Sequence, residues 1–584
     1  MNIMRSLISW ESPSPNIQGP LRIRALGFIS TTAVVAMLLL SIVGVSYAGS
    51  ATFKQAPASG EWFTANNWVQ GTIPNAPGDT ATFASSNRRS IDIAFSVEVN
   101  GIVFNPGASP FSIATNPAAV PVITISGAGI TNNSGIVQNF VVNPGAAQIL
   151  FLNSATAGSL TSYTSTGTMT FGGSSTAESA TFTNNALLTF TNTATAGDAT
   201  VINNSVLIFE GSATAGSATF NNGTLNTSGG FIQFGEVTSD APTAGNGTFT
   251  NPGSPSSTVG GGLVVIHFGT AGNATFINDG ATAADGFAGE TLFQDTGDAA
   301  NAILIANAGS NGGDGGTIRF ATASTGGTAQ VQVFGNGNLD ISGRNAPGVT
   351  TGSIKGNGAV FLGANKLTVG TNNLSTVFSG VIQDGGVSGG SGGSLTKVGT
   401  GQLSLTTANT YTGSTTIQAG SLLVKNRTGS ATGNGAVQVN AGALGGTGTI
   451  NGVVTVGTGS TSGAILLPGN SPKKPGTLTV NNTLTFNSLS AYQCVLNRTR
   501  AKVSTASALG VTINNNALFT FVDSGAGTLA TGTVFTVVNN TSANPIIGTF
   551  SNLPDGSVFT SNGNNFQVNY TGGTGNDLTL TVVP

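Results

Sequence analysis

The feature that most constrains this chain is a repeat in its middle. The pattern Thr-Ala-Gly-x-Ala-Thr-Phe and its variants begin at Thr156, Thr176, Thr195, Thr214, Thr243 and Thr270, each preceded by an apolar run ending in Phe. From Phe151 to Phe171, Phe190 and Phe209 the step is 20, 19 and 19 residues; it then stretches to 25 at Phe234 and 34 at Phe268. About twenty residues hold two or three short strands with their turns, which is one coil of a solenoid. A lone coil cannot bury its apolar side. Stacking sets each Phe over the equivalent Phe of the last coil, and burial contributes roughly 2–3 kcal/mol per ring. A propeller blade needs about 40 residues, twice this period. The fold expected is therefore all-β: a right-handed parallel β-helix with coils of about 20 residues, ending in a β-rich C-terminal cap.

The pairs Asn184/Asn185, Asn203/Asn204 and Asn221/Asn222 follow the strands of this pattern. Aligned along a stack, they can form side-chain ladders. Their place also suits turns with positive φ, which Asn and Gly tolerate.

Composition fits a stack. Charged residues are only 7% of the chain and hydrophobic ones 39%, the reverse of a disordered composition. The 86 glycines carry no three-residue period, which excludes collagen. Stacking also accounts for the scarcity of charge, because it sets like charges side by side. Abundant Thr follows from ordinary β-propensity. Cys494 is the sole cysteine, so no intramolecular disulfide can form.

The charge that exists is unevenly placed. Between Ser90 and Ile318 there are 13 Asp or Glu and no Lys or Arg; from Arg319 onward there are 12 Lys or Arg against 5 acids. The acidic first half excludes nucleic-acid binding by that half. In the second half the densest basic runs are Lys473/Lys474 and Arg498/Arg500/Lys502. These read as solvated surface or as a contact for anionic glycan or lipopolysaccharide. Near the start, Arg22 and Arg24 flank the apolar stretch Leu26–Val45, and Ser46-Tyr47-Ala48 makes a small-x-small site. Residues 1–48 are thus expected to be an export signal peptide, with an uncleaved membrane anchor as the rival reading.

Catalysis was tested residue by residue. The best acidic cluster is Asp279, Asp285, Glu290, Asp295 and Asp298. A polysaccharide-active β-helix, lyase or hydrolase, would use such inserts, as a calcium site or as general acid and base. The lyase base would have to come from elsewhere in the chain. Asp314, in a Gly-rich run, lacks the tandem copies of calcium-binding repeats. His267 is the sole histidine and reads as a surface or turn residue. Gly386-Val387-Ser388-Gly389-Gly390 fits a nucleophile-elbow pattern but has no helix after it. One His and one Cys exclude a zinc site of the usual kind. No catalytic, cofactor-binding or metal-binding residue is assigned.

One stretch is more specific. Ser394–Val424 reads SLTKVGTGQLSLTTANTYTGSTTIQAGSLLV. It closely resembles the autotransporter-associated β-strand repeat, with Leu395, Lys397, Gly399, Gly401, Leu403, Leu405, Asn409, Tyr411, Gly413, Thr415, Ile417, Gly420 and Leu422 on the pattern. Pro468-Gly469-Asn470-Ser471-Pro472, the closing segment Phe566–Val583 and the opening Trp62…Asn67-Trp68…Pro74 resemble other elements of such passengers. The resemblance implies an exported, non-catalytic protein of a bacterial cell surface or its surroundings, structural or adhesive, with glycans or surface proteins as partners. Self-translocating members end in a membrane β-barrel. This sequence stops at Pro584 inside the passenger-like region, so a passenger without its pore is expected. The expected division is 49–150 as N-terminal cap and first coils, 151–393 as irregular repeats with insertions, 394–425 as the passenger repeat and 426–584 as C-terminal β-helix and cap. Loops 236–262 and 279–316 are the segments expected to offer contacts.

Overall fold

The computed structural model describes residues 49–223, 229–471 and 473–584; the expected signal peptide, 1–48, lies outside the described residues. Short strands bury alternate side chains, as a pleated backbone dictates. In Thr168–Phe171, Leu187–Phe190 and Val206–Phe209 the second and fourth residues are inside. Equivalent strands of successive coils pair in parallel and in register, so that Phe151, Phe171, Phe190, Phe209 and Phe234 align. This pairing builds a first sheet of 15 strands from Ala51–Thr52 to Val381–Gln383. A second sheet stacks the alternate strands, among them Thr181–Asn184, Thr200–Asn203 and Thr248–Asn251. The third contact between coils is a column of single bridges through Thr156, Thr176, Thr195, Thr214, Thr243, Thr270, Asp298 and Thr325. The coil is three-sided, a parallel β-helix.

At Gly326–Val333 and Gly348–Gly356 the Thr column widens into true strands. It continues as Lys366–Val369, Ser394–Lys397, Thr415–Ile417 and Val437–Val439. The second sheet runs on through Thr376–Phe378, Gln402–Leu405, Ser421–Val424 and Gly442–Gly446. The first face passes without strands through 409–411 and 430–432, then regains them at Thr449–Ile450, Thr477–Val480, Thr505–Ala508 and Val534–Asn540.

The core is the expected aromatic stack. Ring centroids of Phe151, Phe171, Phe190, Phe209 and Phe234 lie 4.5, 4.7, 5.0 and 4.6 Å apart in sequence, all nearly parallel. A second stack runs Phe220, Phe249, Phe276 at 4.6 and 4.8 Å. Phe268 does not join. Register places Ile266 between Phe234 and Phe293, and Phe268 stands half-buried beyond the strand end. Val264, Ile266 and Phe268 share one phase, so alternation alone leaves the register open.

The Asn ladders form, with a correction. Asn184, Asn203 and Asn222, continued by Asn251 and Asn278, are fully buried and bonded in series. Asn185 and Asn204 bond on the outside. None of these residues takes positive φ, and Asn184, Asn203, Asn251 and Asn278 are the last residues of their strands. The left-handed corner lies instead two residues past the Thr column, at Gly197, Gly216, Gly245 and Gly272, with Glu178 and Ala300 in the same conformation.

Both ends of the stack are closed. Trp62 and Trp68 are buried over Phe53 and Phe83, with Trp68 Nε1 donating to Trp62 O and Trp62 Nε1 to Pro74 O. At the other end Val534–Asn540 pairs antiparallel with Asp577–Val583, which pairs antiparallel with Asn564–Gly572. Parallel growth of this face ends there.

Candidate functional site

In the early coils the second sheet turns into the first through two residues, 185–186 and then 204–205. The same corner then carries loops 223–230, 252–262, 279–289 and 307–316, of which 224–228 lie outside the described residues. Each loop is pinched at its base by one bond. The N–H of its last residue, Gly230, Gly262, Gly289 or Gly316, donates to the carbonyl of its first, Gly223, Pro252, Asp279 or Asn307. Those four glycines sit directly over the carbonyls of the ladder residues one rung back. A Cβ on Gly289 would meet Asn251 O at 1.9 Å, and one on Gly316 would meet Asn278 O at 2.0 Å. Backbone approach, rather than a special φ, demands glycine here.

Above their bases the loops stack on one another. Ser254 N donates to Phe287 O, Thr282 N to Ser254 O, Ala281 N to Asp314 O and Ser310 N to Ala281 O. Asn side chains add cross-links: Asn307 Nδ2 to Asp279 Oδ1 at 2.8 Å and Asn336 Nδ2 to Gly313 O at 2.9 Å. The result is a fin of small residues along one corner, with Phe287 47% exposed and Asp285 and Asp314 exposed beside it. The segments expected to offer contacts are thus divided. Parts 252–262, 279–289 and 307–316 share the fin, whereas 236–242 lies on a different corner, and strands run between them.

The five acids of the sequence cluster are distributed over different corners. Asp279 and Asp285 belong to the fin. Glu290 points outward from its strand and pairs with Arg319 on the next rung at 3.0 Å, while burial still raises its carboxyl above the usual range. Asp298 takes a Thr position in the bridge column, where Oδ1 accepts from Ala300 N as the Thr hydroxyls do from their own turns. Asp295 sits on the opposite corner, 2.8 Å from His267 Nδ1. Gln294 Nε2 lies 2.8 and 3.2 Å from the two ring nitrogens of that histidine. Among the described residues, no group of three His, Cys, Asp or Glu has metal-holding geometry. Ser388 lies in a turn, its N–H on Ser342 Oγ and that of Val387 on Asp340.

The stretch that resembles a passenger repeat forms two adjacent rungs. Leu395, Leu403, Leu405, Ile417 and Leu422 fill the core. Asn409 supplies bonds where the first face has no strand: its Oδ1 accepts from Ile382 N and its Nδ2 donates to Ala431 O. Tyr411 is buried with its hydroxyl on Thr415. Lys397 is only 1% exposed, and its ammonium caps carbonyls of both rungs, Gly399 O at 3.0 Å and Ala419 O at 3.4 Å. Residues 395–424 match the passenger-associated-transport-repeat family.

Over 115 residues, 20% of the chain, the sequence is 38% identical to the adhesin BmaC autotransporter of Brucella suis biovar 1 (strain 1330). The chain spans 3% of that relative's length.

Two features of the chain escape sequence reading. Lys397 is visible in the repeat pattern, but its capping of two rungs is not. Glu210 shares a corner with Glu236 and Asp240 of the next rung. Burial first, then those neighbours, push its carboxyl up to about 7. Like charges here stand on neighbouring rungs.

Proposed function

We propose that this chain is an exported, non-catalytic β-solenoid of the bacterial surface or extracellular space, with a structural and adhesive role. The three loops stacked on one corner, 252–262, 279–289 and 307–316, carry the reading: a regular rod presents an ordered fin of small and polar groups that can meet another surface. The passenger repeat and the similarity to a protein named as an adhesin support the same role. Residues 1–48 fit as the export signal, and sequencing of the mature N-terminus would then begin at Gly49.

The test replaces 252–262, 279–289 and 307–316 with two-residue turns like 185–186. Beads coated with the whole chain are expected to attach to cell or matrix surfaces, and beads with the trimmed chain to lose most of that attachment. Equal attachment would remove the fin from the proposal. Turnover of an acidic glycan that disappears with Asp295→Asn or Asp298→Asn would overturn the non-catalytic reading.

A further inference from the structure

The two basic runs of the sequence meet on one face. Lys473 and Lys474 stand at the tip of a hairpin formed by Ala464–Ser471 and Lys474–Pro475. Arg498, Arg500 and Lys502 stand at the tip of the next, formed by Ala491–Asn497 and Lys502–Val503. The long strands of the two hairpins pair in parallel, Ile465 with Ala491 and Leu466 with Tyr492. The two hairpins are therefore neighbours on consecutive rungs. Between them and the following strand runs an open groove of 490 Å³, lined by Gly476 and Thr477, Lys502 and Thr505, Val534 and Thr536.

The charge on this face is uncompensated. Residues 426–584 hold three acids, Asp523, Asp555 and Asp577. Asp523 is taken by Arg498 at 2.7 Å, whose other N–H groups hold Gly525 O and Gly527 O. Asp555 accepts from Tyr570 N and Asp577 from Asn540 N. Lys473, Lys474, Arg500 and Lys502 are exposed, and among the described residues none of them has an ion-pair partner. A chain of net charge −3 places four cations on two neighbouring rungs here.

We propose that this groove and its basic rim bind an acidic polysaccharide, one with carboxylate or sulfate groups recurring along its chain. Cations carried on two consecutive hairpins suit anions repeating along a polymer, and the groove is lined by Thr477, Thr505 and Thr536. The groove lining offers no exposed aromatic ring on which a nucleobase would stack. The inference rests on the adhesive reading, for which it names a ligand class.

The test measures binding of the full chain to immobilised polygalacturonate and heparin across a salt series. The intact protein is expected to bind both and to weaken as salt rises, as counterion release requires. The variant carrying Lys473→Ala, Lys474→Ala, Arg500→Ala and Lys502→Ala, with an unchanged circular dichroism spectrum, is expected to lose about tenfold or more in affinity. The companion with Lys473→Arg, Lys474→Arg and Lys502→Arg is expected to keep it. Equal binding by the alanine variant overturns the site, as does binding to anionic phospholipid vesicles with neither glycan bound. The fin-trimmed chain should still bind polygalacturonate, so failure of this groove and failure of the adhesive reading give different results.

Discussion

Asn203 donates its side-chain amide to Oδ1 of Asn222, 2.8 Å away on the next rung, and the bond recurs from Asn184 to Asn203 and from Asn251 to Asn278. The same amide also reaches backbone, Asn203 to Phe231 O and Asn222 to Leu263 O. Each ladder residue thus accepts from one rung, donates to another and pins the turn. Changing Asn222 to Leu takes the donor from Asn251 Oδ1 and Leu263 O in a dry interior. A cost of about 2–4 kcal/mol is expected. Repeat stacks open locally, so the readout is hydrogen exchange, with protection lost around 203–251 and kept near the ends.

The pinch glycines set a second expectation. Gly289→Ala and Gly316→Ala place a Cβ within 2.0 Å of a ladder carbonyl, a clash that only backbone movement relieves. Both variants should expose the fin to limited proteolysis and lower the unfolding midpoint. Gly78→Ala is the control: a Cβ there meets nothing within 4 Å, and a change within about 0.5 kcal/mol is expected.

Glu210 sets a pH dependence. Its carboxyl is raised to about 7 in the fold, so the native state holds its proton more tightly than the unfolded chain between pH 4.5 and 7. Stability is full below 4.5 and is lost as pH rises through 7. Because the group is partly in solvent, roughly 1 kcal/mol is expected rather than the full value of the shift. Denaturant midpoints between pH 5 and 8 should fall in the parent and stay flatter in Glu210→Gln.

Lys397 acts in the opposite direction. Burial lowers its ammonium to about 8 from 10.5, so its contribution is full above 10.5 and is lost as pH falls through 8. Hydrogen exchange of the rungs 394–424 should slow relative to its intrinsic rate as pH rises from 7 to 9.5. Lys397→Met removes that dependence and strands the carbonyls of Gly399 and Ala419, at a cost of about 2–4 kcal/mol.

The coil was legible in the sequence because its cause is periodic: Phe, Thr and Asn recur at one step, and stacked rings, a bridge column and a ladder follow. The passenger repeat was legible as a pattern. Phe268 shows where periodicity stops, since an apolar run of uniform phase does not choose its own register. The fin was half legible. Stretched spacing announced insertions, but which corner holds them depends on where each strand ends, and the pinch glycines are lost among so many others. Glu210 with Glu236, and His267 with Asp295, were hidden for a common reason: a turn of the solenoid separates partners that space makes neighbours.

The pinched base has a consequence for how such a chain can change over generations. The residue closing each fin loop continues the column of Ala186 and Ser205, the last residues of the two-residue turns. To the rungs above and below, a long loop and a minimal turn present the same backbone. That corner works as a mounting rail, where segments can be lengthened, trimmed or exchanged one coil at a time while the aromatic stack and the ladder stay untouched. What the rod displays can therefore diverge much faster than what holds it up.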